Sequence, residues 1–252
     1  MKVLCLHGSY GSAVNFEIQL SPFVKAMEEI APGRFKWVDG FHPATPPKGF
    51  DEYFGAPPLY RFFDYDSVNA LSTLVVQLRD FSEGTDPQDT IRKIVQDQVI
   101  FESEAVRKTT DRLLELIAAD PEIDGVLGYS EGAMTAATLI LEEKRKFEEE
   151  GIPRRLKYGL FFAGWPPLCL KGEYSRTLLA DEDEEMIDIP TCHIIGCRDP
   201  YIHGAMALYN VCDPDTAEIF DHGGGHTLPR DGTTIKELVS SVSSVTASPV
   251  AA

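Results

Sequence analysis

The sequence predicts an α/β fold: a mostly parallel six-stranded sheet with helices on both faces and a loop-rich cap. Three observations lead there. Short apolar runs alternate with longer amphipathic ones, the pattern of strands joined by right-handed helical crossovers. Val126-Leu127-Gly128-Tyr129-Ser130-Glu131-Gly132-Ala133 reads as strand, tight turn and helix. At 252 residues the chain is long enough for one large α/β domain, and no internal repeat or linker divides it.

The elements follow in order. Lys2 to Leu6 is a short buried strand stopped by His7-Gly8. Ala13 to Ile30 reads as a helix facing the core through Val14, Ile18, Phe23 and Met27, with Pro22 inside it. Phe35 to Val38 is the second strand. His42 to Asp66, rich in Pro, Gly and aromatics without a period, reads as a long surface loop. Leu71 to Leu78 is an ambiguous apolar segment, and Phe81 to Asp89 is polar loop. Pro87 to Ala119 reads as one long helix carrying Ile91, Ile94, Val95, Val99, Val106, Leu113, Leu116 and Ile117 on its inner side. Further strands are expected at Gly125–Leu127, Tyr158–Ala163, Thr191–Gly196 and Ala217–Phe220, with a closing helix from Thr233 to about Ser240. A single domain therefore spans 1–240, with cap segments near 42–89 and 164–188 and a flexible tail over 241–252. The sheet order is expected to reverse between the strand ending at His7 and the strand entering Ser130, where open α/β sheets bind ligands.

Net charge is −17, so the surface repels nucleic-acid phosphate and anionic membrane; neither is an expected partner. The apolar start Met1 to Leu6 ends too early for a secretory signal core, and no run reaches membrane-spanning length. Cys5, Cys169, Cys192, Cys197 and Cys212 form a scattered, odd set, read as reduced thiols in a cytoplasmic protein. No histidine or cysteine spacing fits a metal site, and no glycine pattern fits a dinucleotide or phosphate loop; no cofactor is expected.

Chemistry concentrates at Gly128-x-Ser130-x-Gly132. The two glycines let strand and helix approach closely while Ser130 takes a strained conformation, its hydroxyl raised beside a helix N-terminus. A serine nucleophile needs a base and an acid to orient that base. His226, in the Gly-rich loop Asp221-His222-Gly223-Gly224-Gly225-His226 after the last strand, is the preferred base over His222. Asp199, just past the strand Thr191–Gly196, is the preferred acid over Asp188 and Asp221, although it could also cap the helix that Pro200 opens. Backbone N–H groups of Glu131 and of Ser9, with Tyr10 as second choice, are the expected oxyanion donors. His7 reads as a loop brace. The cationic runs Lys144-Arg145-Lys146 and Arg154-Arg155-Lys157 read as a solvated face balanced by nearby glutamates, with docking of an acidic partner the minority reading.

These residues carry a family resemblance. Leu4-Cys5-Leu6-His7-Gly8, Phe16-Glu17-Ile18-Gln19-Leu20, Gly128-Tyr129-Ser130-Glu131-Gly132-Ala133, Gly196-Cys197-Arg198-Asp199 and Gly224-Gly225-His226-Thr227-Leu228-Pro229 are similar to motifs of the fungal family of serine hydrolases. That family is an α/β-hydrolase branch related to the human ovarian-cancer-gene-2 product. Within it, the chain resembles the stand-alone thioesterases of fungal polyketide clusters, such as the lovastatin-pathway enzyme. The resemblance implies the triad Ser130, Asp199 and His226. It also implies thioester cleavage that releases a polyketide or fatty acyl chain from an acyl-carrier protein; the alternative is a general carboxylesterase on small esters. Gly55 to Phe63 loosely matches a Gly-Pro-x-Tyr-x-Trp-Phe segment of the family, with Phe62 in place of Trp. Phe54, Leu59, Tyr60, Phe62, Phe63, Trp165 and Leu168 are the candidate acyl-pocket lining.

Overall fold

The computed structural model describes residues 2–30, 34–46, 48, 54–64, 86–95 and 101–247. Six parallel strands form the central sheet: β1 (Lys2–Leu6), β2 (Arg34–Val38), β5 (Gly125–Tyr129), β6 (Tyr158–Phe162), β9 (Thr191–Ile195) and β10 (Ala217–Asp221). Their order is β10-β9-β6-β5-β1-β2. The chain leaves β1 toward β2 and later resumes at β5 on the other flank of β1. The reversal therefore lies between β1 and β5, as the sequence predicts. Two antiparallel pairs lie outside this sheet. One joins β3 (His42–Pro43) to β4 (Tyr60–Arg61), the other β7 (Leu168–Cys169) to β8 (Arg176–Thr177).

Alternation along the strands sorts side chains between two cores. Val3 and Cys5 of β1 pack with Phe162, Ile194 and two helices, α1 (Ala13–Ile30) and α6 (Gly232–Ala247). Leu4 and Leu6 point to the other face, against α3 (Ser103–Ala119) and the helix after the elbow, α4 (Glu131–Glu150). The central strands β6 and β9, covered on both faces, are buried at every position, whereas the edge strands β2 and β10 are exposed or half-buried along their whole length. The fold is thus the α/β-hydrolase fold.

Several local expectations change. The inner stripe of α1 is Phe16, Leu20, Phe23 and Met27, whereas Val14 and Ile18 are 65% and 61% exposed. Phe16, Leu20, Phe23 and Met27 follow helical spacing of four, three and four, and the larger rings win the interior. The long helix expected over 87–119 is two: α2 (Pro87–Val95) and α3. Between them Phe101 and Glu102 are held extended against 173–175, through Ser175 N–H to Phe101 O (2.7 Å) and Ser103 N–H to Glu173 O (2.9 Å). Backbone pairing with a distant segment overrides local helical preference there. The expected surface loop over 42–66 supplies a strand pair and the buried Leu59, Phe62 and Phe63. The closing helix runs past Ser240 to Ala247, because Val242 and Val245 continue its buried stripe. Residues 248–252 and the segment Leu71 to Leu78 lie outside the described residues. All five cysteines are free thiols, and only Cys197 is exposed.

β9 carries a histidine that the site does not use. His193 is buried between the rings of Phe161 and Tyr209 (5.2 and 5.3 Å), with Nε2 3.1 Å from Thr191 Oγ1. Burial pushes its pKa down to about 3. The unfolded chain takes this proton near pH 6.5 and the native state refuses it, so stability falls as pH drops from 6.5 toward 3. The slope from this residue is at most about 1.4 kcal/mol per pH unit.

Two measurements check this description. In chemical unfolding, Val242→Ala lowers stability by about 2 kcal/mol; a loss within error of zero contradicts the buried continuation of α6. His193→Leu flattens the acid limb of stability between pH 6.5 and 4 relative to the parent; an unchanged slope contradicts a neutral, buried imidazole.

Candidate active site

The turn between β5 and α4 is set by two contacts that leave no room for a side chain. A Cβ on Gly128 would lie 2.2 Å from the Gly132 carbonyl oxygen, and one on Gly132 would lie 2.1 Å from that of Leu6. The helix start therefore sits directly on β5 and β1. Ser130 is left at φ 54°, ψ −117°, a region that costs a non-glycine residue about 1–3 kcal/mol. Its backbone is pinned on both sides: Ser130 N–H donates to Phe162 O (2.9 Å), and Ser130 O accepts Ala133 N–H (3.0 Å). Ser130 as a whole is half-buried.

His226 reaches that hydroxyl. Its Nε2 lies 3.2 Å from Ser130 Oγ, and its Nδ1 lies 2.8 Å from Asp199 Oδ2. Asp199 is buried, and its other oxygen accepts the Tyr201 N–H at 2.7 Å. The carboxylate thus contacts the imidazole and closes the turn before helix α5 (Ile202–Asn210); the helix starts after Tyr201, so Pro200 does not open it and Asp199 is not its cap. The structure brings Ser130, Asp199 and His226 together from three loops at the carboxyl ends of β5, β9 and β10.

The loops after β9 and β10 meet through their glycines. A Cβ on Gly196 would lie 2.3 Å from the Gly224 carbonyl oxygen, whose acceptor role is taken by Arg198 N–H at 2.9 Å. Asp221 receives the N–H groups of Cys197 (2.9 Å) and Gly223 (2.8 Å), and these bonds hold its carboxyl below the usual carboxylate range. It ties the two loops rather than orienting His226. His222 donates its N–H to Ile195 O (2.8 Å) and accepts the Gly224 N–H on Nδ1 (3.3 Å), a bracing position. Asp188 is paired with Arg154. Two residues that sequence reasoning passed over hold His226. Tyr129 donates its hydroxyl to His226 O (3.0 Å), and the Tyr201 ring meets the imidazole edge-on at 4.8 Å. The "x" position of a Gly-x-Ser motif gives no hint of the first contact, and a tyrosine after Asp199-Pro200 gives none of the second.

The loop after β1 stands beside Ser130. A Cβ on Gly8 would lie 3.3 Å from Ser130 Cβ. His7 braces this loop: Nδ1–H donates to Gly8 O (2.7 Å) and Nε2 accepts the Gly40 N–H (2.8 Å). That pairing suits the neutral ring, and burial lowers its pKa accordingly. Ser9 follows Gly8, and Tyr10 is buried at φ 55° with its ring 5.0 Å from Phe54. Glu131, at the first position of α4, is buried, and its side chain accepts the Ser9 hydroxyl. Among the described residues no group of three or more His, Cys, Asp or Glu could hold a metal ion, and no helix is long and apolar enough to cross a membrane.

Residues 1–238 match the family model described as "Serine hydrolase (FSH1)". The chain belongs to this serine hydrolase family. Among curated relatives of this serine hydrolase, it is 26% identical to esterase FPY3 of Fusarium mangiferae over 91% of this chain and 89% of that protein. It is 25% identical to esterase mlcF of Penicillium citrinum over 94% and 86%. Among solved structures, Zea mays acyl-protein thioesterase 2 superposes with a TM-score of 0.55 at 18% identity, covering 96% of this chain and 92% of that one. The Bacillus cereus carboxylesterase superposes at 0.52 with 17% identity, covering 96% and 87%. These two likenesses show the shared fold.

The expected pocket lining divides by burial. Phe62 and Phe63 are core residues: Phe62 lies among Leu4, Leu6 and Leu113, and Phe63 among Val106, Leu168 and Leu170. Side chains buried in that way give a substrate no surface, so Phe62, Phe63 and Leu168 are packing residues of the interior. Trp165 lies over Gly204 and is partly buried against Ile91, Ile94, Leu179 and Ala207. Tyr60 donates its N–H to Gly11 O at 2.7 Å, which places it beside the loop after β1 with its side chain partly exposed.

In this hydrolase, Asp199→Asn leaves the circular dichroism spectrum unchanged and lowers kcat about 10⁴-fold, because an amide favours the wrong imidazole tautomer. Full activity in Asp199→Asn together with loss in Asp221→Asn would reassign the acid to Asp221.

Proposed function

We propose that the protein is a carboxylesterase that cleaves small acyl esters through an acyl-enzyme on Ser130. The observation that carries this reading is the unbroken path from Ser130 Oγ through His226 to Asp199 (3.2 and 2.8 Å) at a strained, solvent-reachable turn. In the first step His226 Nε2 accepts the serine proton as Oγ attacks the carbonyl carbon, and Asp199 supports the imidazolium that forms. The Glu131 and Ser9 amides receive the oxyanion. His226 then protonates the departing alkoxide and afterwards deprotonates the water that releases the acid.

The names of the relatives, esterase FPY3 and esterase mlcF, support an ester substrate. The finer reading, release of a polyketide or fatty acyl chain from an acyl-carrier protein, rests on the motif resemblance to the polyketide-cluster thioesterases. Docking of an acidic carrier by charge would draw on Lys144 to Lys146 and Arg154 to Lys157. Several of those cations are already paired: Lys144 and Arg154 with Asp188, Arg145 with Glu142 and Glu149, and Lys146 with Asp111. The first three also sit near the far end of the 20-residue α4, more than about 20 Å along its axis from Ser130. Both facts favour the small ester.

Turnover of short p-nitrophenyl esters, of an acyl N-acetylcysteamine thioester and of the same acyl group on a carrier protein separates the two readings. The proposal expects efficient hydrolysis of the esters and no gain in kcat/KM from the carrier. A tenfold or greater gain from the carrier would replace it with the thioesterase reading. Ser130→Ala lowers kcat by about 10⁴- to 10⁶-fold and abolishes labelling by a fluorophosphonate; retained labelling sinks both.

A further inference from the structure

Glu131 does more than follow the nucleophile. Its carboxylate turns back from the first turn of α4 toward the loop after β1 and the end of β4. Oε2 accepts the Ser9 hydroxyl; Oε1 accepts the Phe62 N–H at 2.8 Å and the Phe63 N–H at 3.3 Å. The group is buried, and each of these partners is a donor, the arrangement a carboxylate needs in order to be tolerated without water. A helix N-terminus also favours an anion there.

The consequence is geometric. The two amides assigned to the oxyanion come from chain segments 122 residues apart, Ser9 and Glu131. An oxyanion site works only when its donors are held at the correct spacing before the charge forms. The residue that supplies one of those amides also grips the residue that supplies the other. It further grips the start of the Phe62–Phe63 segment, whose rings lock into the core.

We propose that the Glu131 side chain is a positioning residue for the oxyanion site, setting the Ser9 amide against its own by holding the Ser9 hydroxyl and the Phe62 N–H. This rests on the serine-hydrolase reading of Ser130. Hydrogen-bond geometry, rather than net charge, is the active ingredient. Glutamine retains an oxygen for the Phe62 and Phe63 N–H groups and offers its NH₂ to Ser9 Oγ, which turns to accept. Leucine fills similar space and offers nothing.

The test compares Glu131→Leu, Glu131→Gln, Ser9→Ala and the Ser9→Ala/Glu131→Leu pair, each normalised by fluorophosphonate titration of folded, competent sites. Readouts are kcat, KM and the inhibition constant of a trifluoromethyl ketone, whose hemiketal oxyanion mimics the transition state. Glu131→Leu is expected to lower kcat about 10- to 100-fold and weaken the ketone in parallel, with KM within about twofold. Glu131→Gln recovers most of that loss. Ser9→Ala gives a smaller loss that does not add fully to that of Glu131→Leu. Should Glu131→Leu fail to fold, Ser9→Ala alone decides, by whether kcat and ketone affinity fall together. Unchanged kcat and ketone affinity in folded Glu131→Leu overturns the proposal, as does a Gln variant as impaired as Leu or a loss confined to thermal stability. Full activity in Ser130→Ala would instead overturn the underlying hydrolase reading.

Discussion

The arrangement depends on how closely α4 can be seated against the sheet. Gly132 rests where a single added carbon would meet the Leu6 carbonyl at 2.1 Å, and Gly128 rests equally close to Gly132. With the helix that near, the chain has only one residue in which to turn from strand to helix, and Ser130 absorbs the turn at positive φ. The strain is offset by the small, fully buried side chains Ala133, Ala136 and Ala137, which let α4 lie flat on the sheet and add apolar burial. Close seating also brings the first turn of α4 against the loop after β1. Ser130, the two amides assigned to an oxyanion and the carboxylate of Glu131 therefore gather in one place.

Polar groups around this turn are partitioned rather than simply accumulated. His7, His193 and His222 all have lowered pKa values because burial penalises their charged forms. Each is used as a neutral brace or a packing ring. His226 alone lies between a hydroxyl and a buried carboxylate. The acids divide in the same way: Asp221 ties two loops through backbone N–H groups, Asp188 neutralises Arg154, and Asp199 faces the imidazole. Asp199 stays distinct at this turn because the nearby Asp221 is committed to backbone partners, while Asp188 lies beyond the other end of β9 with Lys144 and Arg154.

The three side chains that meet at the site, Ser130, Asp199 and His226, were legible in the sequence because each is announced by its local context. A glycine-flanked serine between strand and helix, an aspartate just past a strand, and a histidine after three glycines are all short-range signals, and the order of the strands brings them together. A six-stranded parallel sheet and its reversal beside β1 were expected from the alternation of strands with helices; the full order of the strands was not. What escaped was decided by distant contacts. The periodicity over 87–119 is helical, yet Phe101 and Glu102 are claimed by the backbone of 173–175. The aromatics Phe62 and Phe63 look like pocket lining in a loop, but burial in two separate clusters assigns them to packing. Val14 and Ile18 fall at helical spacing from each other but roughly half a turn from Phe23 and Met27, so the stripe that continues through those two takes Phe16 and Leu20 instead. The side-chain roles of Tyr129, Tyr201 and Glu131 are made across 97, 25 and 122 residues of sequence, beyond any window a motif can span.

The central claim is that Ser130 carries the acyl group during turnover. Rapid mixing with a p-nitrophenyl ester, acid quenching within milliseconds and mass analysis of the Ser130 peptide address it directly. The account predicts a burst of nitrophenol approaching one per active site and an acyl adduct on Ser130, absent when His226 is replaced by alanine. Steady hydrolysis with an unmodified Ser130 peptide at every quench time, or an adduct on another residue, would contradict it.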